Sequence, residues 1–266
     1  METIIEAEEL VKEYKIKKQQ LFNKQAYFQA VDHVSLQVRV GQTVGVVGES
    51  GSGKSTLSEL IGGLQQPTNG SIKYLGKDIS SFTSTEYRHF RQNIQFIFQS
   101  PKDSLHPFYT IKENLMEPLR IFKKHQPERI LLQEIHDMLD QVNLDESILN
   151  KHASEISGGQ AQRVAIARAL ILKPKLIIAD ECVSALDVSV QAQILQLLKE
   201  LQQKHQMSYL FISHDISAVN EVADYVMVMK NGQVLEQGMT EQVLFQPKHD
   251  YTKTLISSSY LLEREG

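Results

Sequence analysis

The stretch Thr43-Val44-Gly45-Val46-Val47-Gly48-Glu49-Ser50-Gly51-Ser52-Gly53-Lys54-Ser55-Thr56-Leu57 decides the architecture. It opens with a short valine-rich run of the kind that forms a strand buried on both faces. Beyond it, Leu57, Leu60, Ile61 and Leu64 fall at i, i+3, i+4 and i+7, the spacing of an amphipathic helix. Between the two, Gly48 to Ser55 matches G-x-x-x-x-G-K-[ST] in the strand-to-helix setting that the pattern requires. Glycines let backbone N–H groups converge on phosphate oxygens, and the helix N-terminus adds its partial positive charge. Gly48, Glu49, Ser50, Gly51, Ser52, Gly53, Lys54, Ser55 and Thr56 are therefore expected to cradle a nucleoside triphosphate. Lys54 would reach the β and γ phosphates, and the Ser55 hydroxyl would lie on Mg2+, which takes few protein oxygens and keeps phosphate and water as its other ligands.

Outward from this loop, Asn93 to Phe98, Leu176 to Asp180 and Tyr209 to Ser213 read as further short strands bounded by polar or glycine residues. Helical stretches separate them, among them one with Ile194, Leu197, Leu198 and Leu201 on a single face. The alternation predicts an α/β domain with a mainly parallel sheet flanked by helices. Short alternating segments in the first forty residues, such as Val34, Leu36, Val38 and Val40, together with Ser71 to Asp78, predict a smaller antiparallel sheet beside it. Ile111 to Gln162 is rich in helix formers, with Ile130, Leu131, Ile135, Leu139 and Val142 at helical spacing, and reads as a helical subdomain inserted at about 109–172. Asn231-Gly232 between Tyr225–Met229 and Gln233–Glu236 signals a tight hairpin.

Strand carboxyl ends are where open α/β sheets place ligands, and Leu176 to Asp180 ends in a carboxylate followed by a second, Glu181. Asp180 is expected to hold Mg2+. Glu181, facing the other way on an extended strand, would polarise a water aimed at the γ-phosphate.

The chain has 266 residues, 41% hydrophobic and 23% charged, which is ordinary globular composition and excludes disorder as the main state. With 28 basic and 32 acidic residues the net charge is -4, so no global field draws it to nucleic acid. The single cysteine, Cys182, excludes an internal disulfide and a four-cysteine metal site, and fits a reducing compartment such as the cytoplasm. Neither a secretory leader nor an apolar run of about 20 residues is evident, so any membrane role is expected to come through a partner.

Ile156-Ser157-Gly158-Gly159-Gln160 narrows the class, because it resembles the signature of ATP-binding cassette (ABC) proteins. Ser157 would precede a helix beginning near Gln160, with Gly158 and Gly159 exposing backbone donors as a second phosphate clamp. The resemblance runs from about Ile4 to Leu255 and implies further roles. Gln99 resembles the glutamine that senses the metal and the attacking water, Ser184-Ala185-Leu186-Asp187 the D-loop, and His214 the switch histidine near the γ-phosphate. Tyr14 is the candidate aromatic for stacking on adenine, with Phe28 its rival. Residues 1–255 then form one cassette, and 240–266 a C-terminal tail.

Ala30 to Leu36, Asp187 to Leu195 and Pro247-Lys248-His249-Asp250-Tyr251-Thr252 look like the oligopeptide, dipeptide and nickel importer ATPases. Asp250 stands where that subgroup has proline, Cys182 where it commonly has proline, and Ile156 where leucine is usual. The resemblance implies a head-to-tail pair with a related but different ATPase subunit, docked on two membrane permease subunits at the cytoplasmic face of the membrane. An extracytoplasmic binding protein would deliver the solute. Oligopeptides or dipeptides are the expected cargo, with nickel or a metal-chelator complex and antimicrobial peptides as alternatives. Soluble ABC proteins of DNA repair, chromosome organisation or translation are disfavoured, because the chain has one motif set, one cysteine and no extended heptad run.

Overall fold

The computed structural model describes residues 2–16 and 27–264. In chain order its elements are β1 (Thr3–Lys15), β2 (Tyr27–Arg39), β3 (Thr43–Val47), α1 (Lys54–Ile61), β4 (Asn69–Tyr74), β5 (Lys77–Asp78), α2 (Ser84–Asn93) and β6 (Ile94–Ile97). There follow α3 (Ile111–Phe122), α4 (Glu128–Gln141), α5 (Gly158–Leu170), β7 (Leu176–Asp180), α6 (Val188–His205), β8 (Ser208–Ser213), α7 (Ile216–Val222), β9 (Tyr225–Lys230), β10 (Gln233–Met239), α8 (Thr240–Phe245) and α9 (Asp250–Arg264).

A six-stranded sheet runs β10-β9-β3-β8-β7-β6, parallel throughout except for β10, which pairs antiparallel to β9. The alternation of side chains along its strands divides the interior in two. Val44, Val46, Leu176, Ile178, Leu210, Ile212, Met227 and Met229 face a core closed by α1, α2 and the four-stranded sheet β2-β1-β4-β5. Ile177, Ala179, Tyr209, Phe211, Val226 and Val228 face the other core, shared with α3 to α9. In the smaller sheet, Ile5 stands opposite Val38 and Ala7 opposite Leu36, so Val34, Leu36 and Val38 bury one face as the pattern predicts, whereas Val40 lies in the turn beyond β2 and is 40% exposed.

Two predicted helical stripes are shorter than their apolar letters. α1 stops at Ile61 and the chain turns through Gly62-Gly63, which leaves Leu64 42% exposed beyond the helix. In α4, Leu131, Ile135 and Leu139 are buried, with Val142 at its cap, whereas Ile130 lies one position off the stripe and faces solvent. The helices α3, α4 and α5 pack on one another, α3 and α5 each opened by a reciprocal capping box, Thr110 with Glu113 and Ser157 with Gln160. The hairpin forms with both Asn231 (φ 51°) and Gly232 (φ 82°) left-handed, the backbone of a two-residue turn whose twist matches its strands.

Register brings the chemistry to one edge. Val47 ends β3 opposite Ser213 of β8, and Asp180 ends β7 opposite Ile212, so the glycine-rich loop, Glu181 and His214 all leave the same end of the sheet.

Candidate functional site

The loop between β3 and α1 is wedged tightly. A side chain at Gly48 would strike the Met229 carbonyl oxygen, and one at Gly53, left-handed at φ 104°, would strike the Ala30 carbonyl. The Gly232 N–H donates to Ser52 O at 2.9 Å, tying the hairpin turn to the loop. Lys54 is 4% exposed and its ammonium donates to Gly48 O at 2.8 Å and Glu49 O at 2.9 Å. Burial pushes its pKa down, opposed by the charges of Glu181 and Asp180. Ser50, Gly51, Gly53, Lys54, Ser55 and Thr56 line a cavity of about 290 Å3, closed by Phe28, Ala30 and Glu181. Gly48, Glu49 and Ser52 do not line it, and the Ser52 hydroxyl is buried with no hydrogen-bond partner.

Asp180 receives the Ser55 hydroxyl at Oδ1 (3.4 Å) and lies 3.1 Å, through Oδ2, from the hydroxyl of Ser58. Burial raises its pKa, the Ser58 hydrogen bond works against that, and the Glu181 charge adds to it. A hydroxyl and one carboxylate side by side form a hard oxygen donor set that suits Mg2+, which needs few protein ligands. Among the described residues no group of three or more His, Cys, Asp and Glu offers a metal site of another kind.

Glu181 departs from the expected extended strand. The strand ends at Asp180, and Glu181 turns into the left-handed region (φ 48°), its N–H donating to Ile212 O at 2.9 Å. The turn aims its carboxylate into the cavity and brings Oε2 within 3.5 Å of Nδ1 of His214. Gln99, two residues past β6, donates through Nε2 to Ser184 Oγ at 3.4 Å, and Ser184 donates to Glu181 O at 2.9 Å. Cys182, buried, has its thiol pushed up to about 12 by desolvation, which leaves it unreactive as a nucleophile.

The second glycine clamp stands apart. Ser157 is the N-cap of α5, which begins at Gly158 rather than near Gln160, and its hydroxyl accepts the Gln160 N–H at 3.2 Å. Gly158 has open space where a side chain would be, so the helix N-terminus presents its amides outward. None of Ser157, Gly158, Gly159 and Gln160 lines the loop cavity.

Tyr14 and Phe28 are cross-strand partners on β1 and β2. The Tyr14 hydroxyl donates to Gln65 Oε1 at 2.9 Å, and only Phe28, 54% exposed, borders the cavity. Sequence reading missed Ser58, whose only signal is a serine interrupting the apolar face of α1, and missed Tyr251, whose hydroxyl accepts the Glu49 N–H at 3.3 Å.

The family model for ABC transporter domains matches residues 31–184, and the chain belongs to that family. Among its relatives is the oligopeptide transport ATP-binding protein OppF of Salmonella typhimurium, 46% identical over 229 residues, 86% of this chain and 69% of the relative. OppF of Haemophilus influenzae is 43% identical over 259 residues, 97% of this chain and 78% of the relative. Of solved structures, the ATP-binding cassette MJ0796, a dimer in a post-hydrolysis state bound to ADP and Pi, aligns with a TM-score of 0.78 at 31% identity over 89% of this chain and 99% of that one. The cassette cbiO1 of Clostridium perfringens, part of the cbiONQ transporter complex, aligns at 0.79 and 26% identity over 99% of this chain and 100% of that one.

Proposed function

We propose that the chain binds and hydrolyses ATP and so energises a membrane importer of oligopeptides or dipeptides. The observation that carries this reading is the convergence of the glycine-rich loop, Asp180, Glu181 and His214 on one edge of the sheet. The relatives named for oligopeptide transport support the cargo.

Loop amides and the Lys54 ammonium hold the triphosphate. Ser55, Asp180 and Gln99 would hold Mg2+, which when bound neutralises charge on the β and γ phosphates. Glu181 accepts a hydrogen bond from the attacking water and directs its oxygen at the γ-phosphorus, and His214 meets the γ-phosphate from the next strand. Water adds and the bond to the β-phosphate oxygen breaks, giving ADP and phosphate.

The outward-facing Ser157, Gly158, Gly159 and Gln160 complete the site of a partner cassette in a head-to-tail pair, the partner a related but different chain. The helical segment at about 109–172 carries this clamp inside a single cassette of residues 1–255, and 240–266 forms the tail. No described helix is long and apolar enough to cross a membrane. In this reading the pair sits peripherally on the cytoplasmic face, beneath two permease subunits that receive solute from an extracytoplasmic binding protein. Differential ATP affinity of closed and open pairs couples hydrolysis to transport.

The test is uptake of labelled oligopeptide and of labelled nickel in cells carrying wild type or Lys54→Ala at matched protein levels. Loss of oligopeptide uptake alone is expected. Loss of nickel uptake alone, or of neither, overturns the cargo assignment.

A further inference from the structure

The segment Pro247 to Thr252 has no part in the reaction described above, yet it ends against the phosphate loop. The Glu49 N–H donates to the Tyr251 hydroxyl at 3.3 Å across 202 residues of sequence. That N–H belongs to the peptide joining Gly48 to Glu49, and the carbonyl of the same peptide accepts the Lys54 ammonium at 2.8 Å. One rigid plane is thus gripped at both ends, by the tail and by the lysine expected to reach the phosphates.

Tyr251 is itself held firmly. It is 8% exposed, and the Lys230 ammonium lies 4.2 Å from its ring centroid. Its own N–H donates to His249 Nδ1 at 3.1 Å, while the N–H groups of Lys248 and His249 donate to the two carboxylate oxygens of Glu236 at 2.8 and 3.0 Å. Lys230 ends β9 one residue after Met229, whose carbonyl backs against Gly48. Burial pushes the phenol pKa up, so the hydroxyl keeps its proton at neutral pH.

We infer that Tyr251 is a positioning residue for ATP: by pinning the Gly48–Glu49 peptide it sets the anchor of Lys54, so the C-terminal tail tunes nucleotide affinity. This rests on the ATP-site reading above. A peptide released at its N–H end is free to rotate, and its carbonyl then no longer holds the ammonium at a fixed point. Losing one net hydrogen bond at the anchor corresponds to about a five-fold change in an equilibrium constant.

The experiment measures the affinity of the full chain for a fluorescent ATP analogue with Mg2+, for wild type, Tyr251→Phe, Lys54→Ala and the double variant, with thermal midpoints alongside. Tyr251→Phe keeps the ring over Lys230 and removes only the hydroxyl. The expected result is about five-fold weaker binding for Tyr251→Phe with a midpoint near wild type, and no further weakening when it is added to Lys54→Ala. Wild-type affinity in Tyr251→Phe, with or without a lowered midpoint, overturns the inference. An equal loss in the Lys54→Ala background overturns the route through the lysine. Wild-type affinity in Lys54→Ala alone would instead remove the ATP-site reading itself.

Discussion

The Ser58 hydroxyl, with no solvent exposure, stands 3.1 Å from Oδ2 of Asp180 and 2.8 Å from the carbonyl of Ser55. Its single proton is shared between a helix carbonyl and a buried carboxylate whose charge burial disfavours. Removing it should cost about 1 kcal/mol of stability in Ser58→Ala. The pH dependence follows in sign. A carboxyl whose folded pKa lies above its unfolded value holds extra protons in the folded state, so stability falls as pH rises from the unfolded pKa through the folded one. Ser58→Ala removes a donor that favours the charged form and should extend that fall to higher pH, read by thermal melts across the acid range without nucleotide.

Glu181→Gln should keep ATP binding and lose at least about 100-fold in hydrolysis, because the amide keeps the shape but cannot accept the water proton. The substitution leaves the identity of its partner at 3.5 Å, His214, unchanged. Single-turnover hydrolysis in the assembled transporter reads the effect, and unchanged turnover would remove Glu181 from its role.

Phe28 borders the phosphate cavity, and Tyr14, its cross-strand neighbour, is tethered to Gln65 in the segment between α1 and β4. If adenine stacks on the nearer ring, Phe28→Ala should weaken ATP binding by about 1 kcal/mol and Tyr14→Ala by much less. GTP competition separates stacking from base recognition, since a stacking contact is lost equally for both purines. The reverse order of affinities would return the stacking role to Tyr14.

Gly45, mid-strand in β3, has Val219 Cγ1 2.5 Å and Ala223 Cβ 3.0 Å from where its side chain would begin. Both neighbours belong to or adjoin α7, packed on the sheet, and cannot give way without moving that helix. Gly45→Ala should destabilise by about 1 to 3 kcal/mol in denaturant melts, with ATP affinity lost only in proportion to unfolding.

The parts legible in sequence are those whose chemistry is local. The glycine-rich loop, β3 and β7 coincide with their predicted ranges because each is written in a short contiguous run of letters. Alternation along the strands already encoded the two cores, since neighbouring letters such as Ile177 and Ile178 go to opposite faces. Leu64 and Ile130 deceived because apolar letters continue beyond the helix end or beside the buried stripe. Glu181 was legible as a carboxylate and not as a left-handed residue, because its backbone is bent by a bond to Ile212 on another strand. Tyr251 was visible only as part of a motif, since nothing in the letters near 251 reveals a partner at 49.

The hairpin tip at Gly232 carries a consequence for protein engineering. Tips of surface hairpins are the usual places to insert a tag or split a chain. Here the Gly232 carbonyl receives the Asp32 N–H and its own N–H reaches Ser52, both at 2.9 Å, and the residue is buried. An insertion between Asn231 and Gly232 would part three remote stretches of backbone at once, so a fluorescent tag or cleavage site belongs elsewhere on this chain.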